Sequence, residues 1–365
     1  VGSEMCIRDR RMPLEILYPF EFVNKLKELL SFTIAGCMNT GLTGQQATGK
    51  TTCLMSLIGD IPAAFSIRLQ EMAFELYLRK VYPNRNIMTF VDTPTVSAKA
   101  GIELQKKTDG DVNLFGEVAQ SSVVPLALKM GQTGSAMLMF TSHHKTTDDL
   151  VNEWGDDLVS EGASTDSFKA TQTVASVLDM DIHLERTING IRYIARVTQI
   201  LPHIAEPYPE YNPEDVNRSM YNLQREYFYR RTDRRMFDTA DIIVYHKGRY
   251  LFVNDIHPDK VALIKQHLSD VQSARFDKFL GRVHKEVVYN RSLGFTGYST
   301  TDSQNHIYFG TCVDENNNVI GHRVDDVIKY NNGRTISIDD TQAIVGDLEK
   351  ANYAFDLLEG ILNIA

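Results

Sequence analysis

The sequence predicts an α/β protein with a mainly parallel sheet flanked by helices, and three observations carry that expectation. Strand-like and helical apolar periods alternate from Phe20 to Ile200, the pattern of parallel strands joined by helical crossovers. A glycine-rich loop, Gly44-Gln45-Gln46-Ala47-Thr48-Gly49-Lys50-Thr51, precedes an amphipathic helix, the setting in which backbone N–H groups curl round phosphate. A short apolar segment, Val112 to Phe115, then runs into an acid at Glu117.

Taken in order, Phe22, Val23, Leu26, Leu29 and Leu30 recur at helical spacing. Phe32 to Cys37 reads as a short strand delivering the chain to the glycine-rich loop, and the helix after the loop carries Leu54, Met55, Leu57 and Ile58. Strand-like segments follow at Phe65 to Leu69, Ile87 to Val91, Val112 to Phe115 and Ala136 to Phe140, with helical ones at Ser121 to Met130 and Thr147 to Leu158. Val177 to Leu184 and Ile191 to Ile200 read as strands about Thr187-Ile188-Asn189-Gly190, whose central Asn-Gly favours a hairpin. Pro202, Pro207, Pro209 and Pro213 mark a linker or surface loop. Beyond it, Glu214 to Phe237 and Asp259 to Leu280 read as helices, Tyr289 to Asp340 as short strands and turns, and Asp340 to Leu362 as a last helix. The first ten residues carry charges throughout and no apolar stretch, unlike a secretory leader. They resemble translated adaptor sequence and are set aside as non-native.

Composition narrows the function classes. Hydrophobic residues make up 43% and charged residues 23% of the 365, which excludes wholesale disorder. The net charge of −9 argues against a surface that grips nucleic acid or anionic lipid as a whole. Arg225, Arg230, Arg231, Arg234 and Arg235 do lie among Tyr221, Tyr227, Phe228 and Tyr229, a mixture that can hold single strands. The acidic whole favours an amphipathic helix with its arginines toward water or a neighbouring subunit, so nucleic acid is not an expected partner. Cys6, Cys37, Cys53 and Cys312 are scattered without metal-site spacing, as suits a reducing compartment. No apolar run reaches the ~18 residues of a membrane span.

The glycine-rich loop matches G-x-x-x-x-G-K-[ST] at every fixed position. Four fixed positions coincide by chance in about one chain in a hundred of this length. The residues expected to hold nucleotide are Gly44, Gln45, Gln46, Ala47, Thr48, Gly49, Lys50, Thr51 and Thr52, with Lys50 on the β/γ-phosphates and Thr51 on Mg²⁺. Hydrolysis also needs acids near the metal and the attacking water. Glu71, after the strand-like Ser66 to Leu69, and Glu117 stand at the expected strand ends.

Together these features resemble the ATPases of type II and type IV secretion systems, most closely the CpaF-like ATPases of Tad-type pili. The resemblance rests on Asn39, an E-x-x-x-E-L box at Glu71, Glu75 and Leu76, the strand end Gly116-Glu117-Val118, Thr133-Gly134, Thr141-Ser142-His143, and an R-x-x-x-G-x-R hairpin at Arg186, Gly190 and Arg192. It covers roughly Phe20 to Ile200 and implies a RecA-like P-loop NTPase core over residues 11–202. A helical C-terminal part is expected over 203–288, and a mixed α/β extension over 289–365. By the same resemblance Glu71 helps to activate water, Glu117 supports the Mg²⁺ shell together with Thr51, and His143 senses the γ-phosphate; His144 beside it is the weaker candidate. It further implies a homo-oligomeric ring, a hexamer, that hydrolyses ATP to power pilus assembly or protein secretion with inner-membrane platform proteins. Such a protein is cytoplasmic and peripheral to the inner membrane. A DNA-directed conjugation-type ATPase would use the same core, and a nucleotide-binding regulatory subunit with weak hydrolysis is a third reading.

Three departures stand out: Ala119 where the family has Arg, Ser135 where it has His, and Met72 where it has Asp. Lys106, Lys107 or Arg68 could restore the missing positive charge. The family also carries an N-terminal domain over the nucleotide. The loop here begins at Gly44, so that domain is expected upstream and this chain is expected to hold ATP weakly.

Overall fold

The computed structural model describes residues 14–18, 22–73, 75–132, 134–203, 209–232, 236–292, 310–313, 319–324, 327–330 and 335–337. The expectations for residues 1–10, Thr133, Pro207, Arg234, Arg235 and a helix over 340–362 lie outside the described residues. The chain divides into two compact units, one built on Cys37–Asp181 and Ile200–Thr239, the other on Met12–Gly36, Ile182–Gln199 and the chain from Ala240 onward.

The first unit contains strands β1 (Thr40–Thr43), β2 (Ile67–Glu71), β3 (Ile87–Val91), β4 (Val112–Phe115) and β5 (Met137–Thr141). They stand in the order β3-β2-β4-β5-β1 with every neighbouring pair parallel. This is the expected RecA-like arrangement, with β5 between the loop-bearing β1 and the acid-bearing β4. Parallel strands bring their C-terminal ends to one edge. The register keeps those ends level, with Leu42 opposite Thr141, Phe140 opposite Phe115, and Phe115 opposite Gln70. Ligands in such sheets sit outside the carboxyl ends of the strands.

Helices are labelled in chain order: α1 (Val23–Ala35) belongs to the second unit, and α2 (Lys50–Leu57), α3 (Ala98–Gln105), α4 (Val124–Gln132), α5 (Thr147–Ser160) and α6 (Ser167–Val177) belong to the first. Helices α3 to α6 share one apolar cluster with Phe115, Leu138 and Phe140 of the sheet. Trp154 at its centre is fully buried, its ring 4.4 Å from that of Phe140. Both α5 and α6 start on a side-chain cap: Thr146 Oγ1 accepts the N–H of Asp149, and Asp166 Oδ1 that of Lys169.

Two expectations here are corrected. Phe32 to Cys37 is not a strand, because Leu26, Leu29, Leu30, Thr33 and Ile34 form one buried stripe at helical spacing and carry α1 through to Ala35. The strand before the loop is instead Thr-Gly-Leu-Thr, polar by composition yet wholly buried. Its hydroxyls are satisfied internally, Thr40 Oγ1 donating to the carbonyl of Met38 and Thr43 Oγ1 to Asp181. Val177 likewise ends α6 rather than opening a strand, and β6 is Met180–Arg186. It pairs by the expected turn with β7 (Arg192–Pro202): the N–H of Thr187 donates to the carbonyl of Ile191, and Gly190 takes φ 83°.

Asn39 fixes the entry to β1. Its Nδ2 donates to the carbonyl of Val177 (2.8 Å), its Oδ1 accepts the N–H of Leu138 (2.7 Å), and its own N–H donates to Asp179 Oδ2 (2.9 Å). Asn39→Ala leaves two of these backbone groups without the side chain they bond. At ~1–3 kcal/mol for each group so orphaned, the variant is expected to lose about 2 kcal/mol or more in urea unfolding. A change below about 0.5 kcal/mol would show that the side chain contributes nothing.

Helix α7 (Val216–Thr232) stops short of Phe237, and the stretch 203–288 is not helical throughout. Phe237 opens the antiparallel hairpin of β8 (Phe237–His246) and β9 (Arg249–Phe252). Burial alternates along its start, with Phe237 and Thr239 in and Asp238 out, a period of two that the adjacent Met236-Phe237 pair disguises. In the second unit the expected helix from Asp259 is two, α8 (Pro258–Lys265) and α9 (Asp270–Ser292). Ser269 Oγ accepts the N–H of Gln272 and restarts the helix. The core of this unit joins α1, β9 and α9 through Phe32, Phe252, Phe276 and Phe279, with ring centroids 5.0 to 6.2 Å apart. Strands β10 (Gly310–Val313), β11 (Val319–Val324), β12 (Val327–Tyr330) and β13 (Thr335–Ser337) form an antiparallel sheet in that order, as the short-strand pattern suggested. Among the described residues no helix is long and apolar enough to cross a membrane.

Candidate nucleotide site

The loops that leave β1, β2, β4 and β5 meet one edge of the first unit's sheet. The loop after β1 turns through positive φ at Gly44 (135°), Ala47 (63°) and Gly49 (95°), a course that aims successive N–H groups into a concavity. Gly49 caps α2 without any side-chain hydrogen bond, so the first-turn N–H groups carry no side-chain cap and suit an anion. Gly44 and Thr48 are buried, Gln45, Gln46 and Ala47 exposed, and Gly49, Thr51 and Thr52 half-buried. Thr48 Oγ1 donates to the carbonyl of Gln45 (2.9 Å) and braces the turn.

Lys50 is buried at the mouth of this loop. Its ammonium donates to the carbonyls of Gly44 (2.8 Å) and Gln45 (2.9 Å) and to His143 Nδ1 (3.1 Å). Those three acceptors match its three protons. Burial pushes the Lys50 pKa down to about 8, against the opposing pull of the Glu117 charge. An ammonium can only donate, so His143 Nδ1 is the acceptor and the ring proton belongs on Nε2. Nε2 lies 2.6 Å from Glu117 Oε1, which makes a line of donors from Lys50 through His143 to Glu117. Val118 N–H donates to the carbonyl of Thr141, and Thr141 Oγ1 to that of Gly116 (2.6 Å), so the Glu117 and His143 loops are tied at their bases.

The structure thus brings Lys50, His143 and Glu117 together at the phosphate loop. Glu71 does not join them in any ion pair or hydrogen bond among the described residues. It lies buried at the end of β2, its Oε1 accepting the N–H groups of Glu75 (3.1 Å) and Leu76 (2.7 Å), and its Oε2 buried without a partner. Burial raises its pKa, and the two N–H groups oppose that rise. Of the cations offered in place of the missing arginine, Arg68 is spent locally, donating to Thr108 Oγ1 and to the carbonyls of Ile67 and Asp109. Lys106 pairs with Glu103 on α3's end.

His144, the neighbour of His143, faces inward. Ser142 Oγ lies 2.9 Å from its Nδ1 and Glu153 Oε2 3.3 Å from its Nε2. Burial lowers its pKa to about 4. A histidine with a depressed folded pKa binds its proton more readily when unfolded. Its stability contribution is therefore complete above about pH 6.5 and is lost as the pH falls toward 4. At ~1.4 kcal/mol per pH unit the loss is about 3 kcal/mol. His144→Gln, which cannot titrate, is expected to show a flatter dependence of Tm on pH between 6.5 and 4.5 than the parent. Parallel curves would refute the assignment.

Sequence reasoning missed Asp181. This fully buried carboxylate accepts Thr43 Oγ1 (2.8 and 3.0 Å to its two oxygens) and Thr147 Oγ1 (2.8 Å). In Met180-Asp181-Ile182-His183 the polar residues alternate as on a half-exposed strand, but β6 is buried on both faces. Only the neighbourhood of β1 distinguishes Asp181 from a surface acid.

No protein-family model matches the chain, and no curated protein does. Among solved structures, the VirB11 ATPase of the Brucella suis type IV secretion system, in complex with sulphate, is 16% identical over 48% of this chain and 52% of that one, with TM-score 0.44. The Legionella pneumophila ATPase DotB is 14% identical over 56% of this chain and 57% of that one, with TM-score 0.39. The pilus retraction motor PilT with bound ADP is 16% identical over 76% and 62%, with TM-score 0.37. The chain spans about half to three-fifths of the length of these proteins.

Proposed function

We propose that this chain binds and hydrolyses ATP, as a motor subunit of a machine of the type II and type IV secretion kind. The observation that supports this reading is the line of Lys50, His143 and Glu117 set against an uncapped helix start and an anion-cradling loop. The loop N–H groups and Lys50 hold the β- and γ-phosphates. Thr51 and Glu117 offer the hydroxyl and carboxylate oxygens that suit Mg²⁺. When bound, Mg²⁺ supplies charge neutralisation on the phosphoryl oxygens.

A sensing role for His143 belongs to the same proposal. Every Lys50 proton already has an acceptor, so a phosphate oxygen must displace one, and His143 holds the longest of the three contacts. Nucleotide arrival therefore frees His143 Nδ1 while Nε2 stays tethered to Glu117. Glu71 reaches water only once the N–H groups of Glu75 and Leu76 let go of its carboxylate. A ring of six copies at the cytoplasmic face of the inner membrane, working on pilin or secreted protein through platform proteins, belongs to the same proposal. The test is ATP titration and steady-state phosphate release by the purified chain with Mg²⁺. Saturable binding with turnover is expected; neither binding nor phosphate release at millimolar ATP overturns the reading.

A further inference from the structure

Asp181 stands at the start of β6, outside every loop that faces the nucleotide site, yet it binds two elements that frame that site. Thr43 is the last residue of β1, directly before Gly44 of the phosphate loop. Thr147 is the first residue of α5, directly after the segment Ser142 to Thr146 that carries His143. Both hydroxyls converge on the one carboxylate, at 2.8 Å from Thr43 and 2.8 Å from Thr147. The other end of the His143 segment is tied to the same strand, since the N–H of Ser142 donates to the carbonyl of Leu42 (3.1 Å). The His143 segment is thus fastened to β1 at both ends, by a backbone bond at one and through Asp181 at the other.

The three residues are buried, Thr43 and Asp181 fully and Thr147 to within 1%, so water does not compete for these bonds. Loss of the acceptor would deprive both buried hydroxyls of this bond. We infer that Asp181 is a positioning residue for the hydrolytic site: it holds the phosphate loop and the His143 segment in register, and so sets the Lys50–His143 contact on which sensing depends. This rests on the proposed ATPase reading for its catalytic consequence, though the positional claim concerns the chain alone.

Removing the carboxylate should act through His143. Asp181→Asn keeps the size but replaces one acceptor oxygen by a donor, leaving a single amide oxygen to take both threonines where two oxygens now share them. Turnover at saturating ATP is expected to fall about tenfold with ATP affinity changed less than threefold. In a His143→Ala background the same substitution should lower turnover no further, because the contact it positions is already gone. A second readout needs no turnover: the ¹⁵N shifts of the His143 ring in nucleotide-free protein, which report the hydrogen bond at Nδ1, should move in Asp181→Asn. Thr147→Val should reproduce the shift, and Thr147→Ser, which keeps the hydroxyl, should not; this pair serves where Asp181→Asn fails to fold. Unmoved ring shifts in Thr147→Val overturn the inference even in a protein that hydrolyses ATP. Fully additive losses with His143→Ala do the same. A parent protein without turnover whose ring shifts still respond would sink the ATPase reading and leave the positional claim standing.

Discussion

Lys50→Ala is expected to reduce ATP affinity by about a hundredfold and to abolish measurable phosphate release, while the fold survives. Lys50 gives the loop its one ammonium within reach of the Gly44 and Gln45 carbonyls. A lost charge-assisted contact to phosphate is worth roughly 1.5–3 kcal/mol, which is about one to two decades in affinity. Turnover falls further, because the charge building on the phosphoryl oxygens loses one of the cations proposed to face it. Stability should not follow. Burial already disfavours the charged form of this side chain, as its lowered pKa of about 8 shows, so losing the buried charge offsets the loss of the methylene stem and of its bonds to the loop carbonyls. A midpoint of thermal unfolding within a few degrees of the parent, alongside lost binding, is the expected pair of results. Retained binding with a collapsed melting temperature would mean that Lys50 serves the loop's own structure instead.

Much of this site was legible because its chemistry is local in sequence. The phosphate loop needs positive φ at fixed positions and a lysine at the helix start, and both are written in Gly44 to Lys50. Glu117 was legible as a strand-end acid, since parallel strands deliver their C-terminal ends to one edge, whereas His143 was expected only from the family resemblance. Burial was harder to read. Thr40 to Thr43 has no apolar run to mark it as a buried strand, its Thr43 being satisfied by Asp181, and Asp181 stands in a polar alternation although β6 is covered on both faces. Each is explained only by the other, over 138 positions of sequence separation. Glu71 shows the same limit. Its place at a strand end was readable, but the N–H groups of Glu75 and Leu76 reach its carboxylate only in the folded chain. Phe32 to Cys37 misled for the opposite reason, a stretch of strand length whose Thr33 and Ile34 continue the buried helical stripe before it.

Glu117→Gln should separate binding from chemistry. Glutamine keeps the length of the side chain, and its amide oxygen can still accept the Nε2 proton of His143 that now lies 2.6 Å from Glu117 Oε1. The line from Lys50 through His143 therefore survives while the negative charge does not. Without that charge the residue loses its proposed support of the Mg²⁺ shell. The turnover number is expected to fall on the order of 10²-fold or more, the range for a lost electrostatic contact to the transition state. ATP affinity should change by only a few-fold at pH 7. The choice of pH matters. The Glu117 charge is what keeps the Lys50 pKa from falling below about 8, so its loss moves Lys50 toward neutrality. Affinity in the variant should consequently begin to decline at a lower pH than in the parent, a shift readable by repeating the titration from pH 6.5 to 9. A parent-like turnover number would remove Glu117 from the chemistry. A parent-like turnover number combined with the earlier fall in affinity would recast it as an electrostatic support for Lys50 alone.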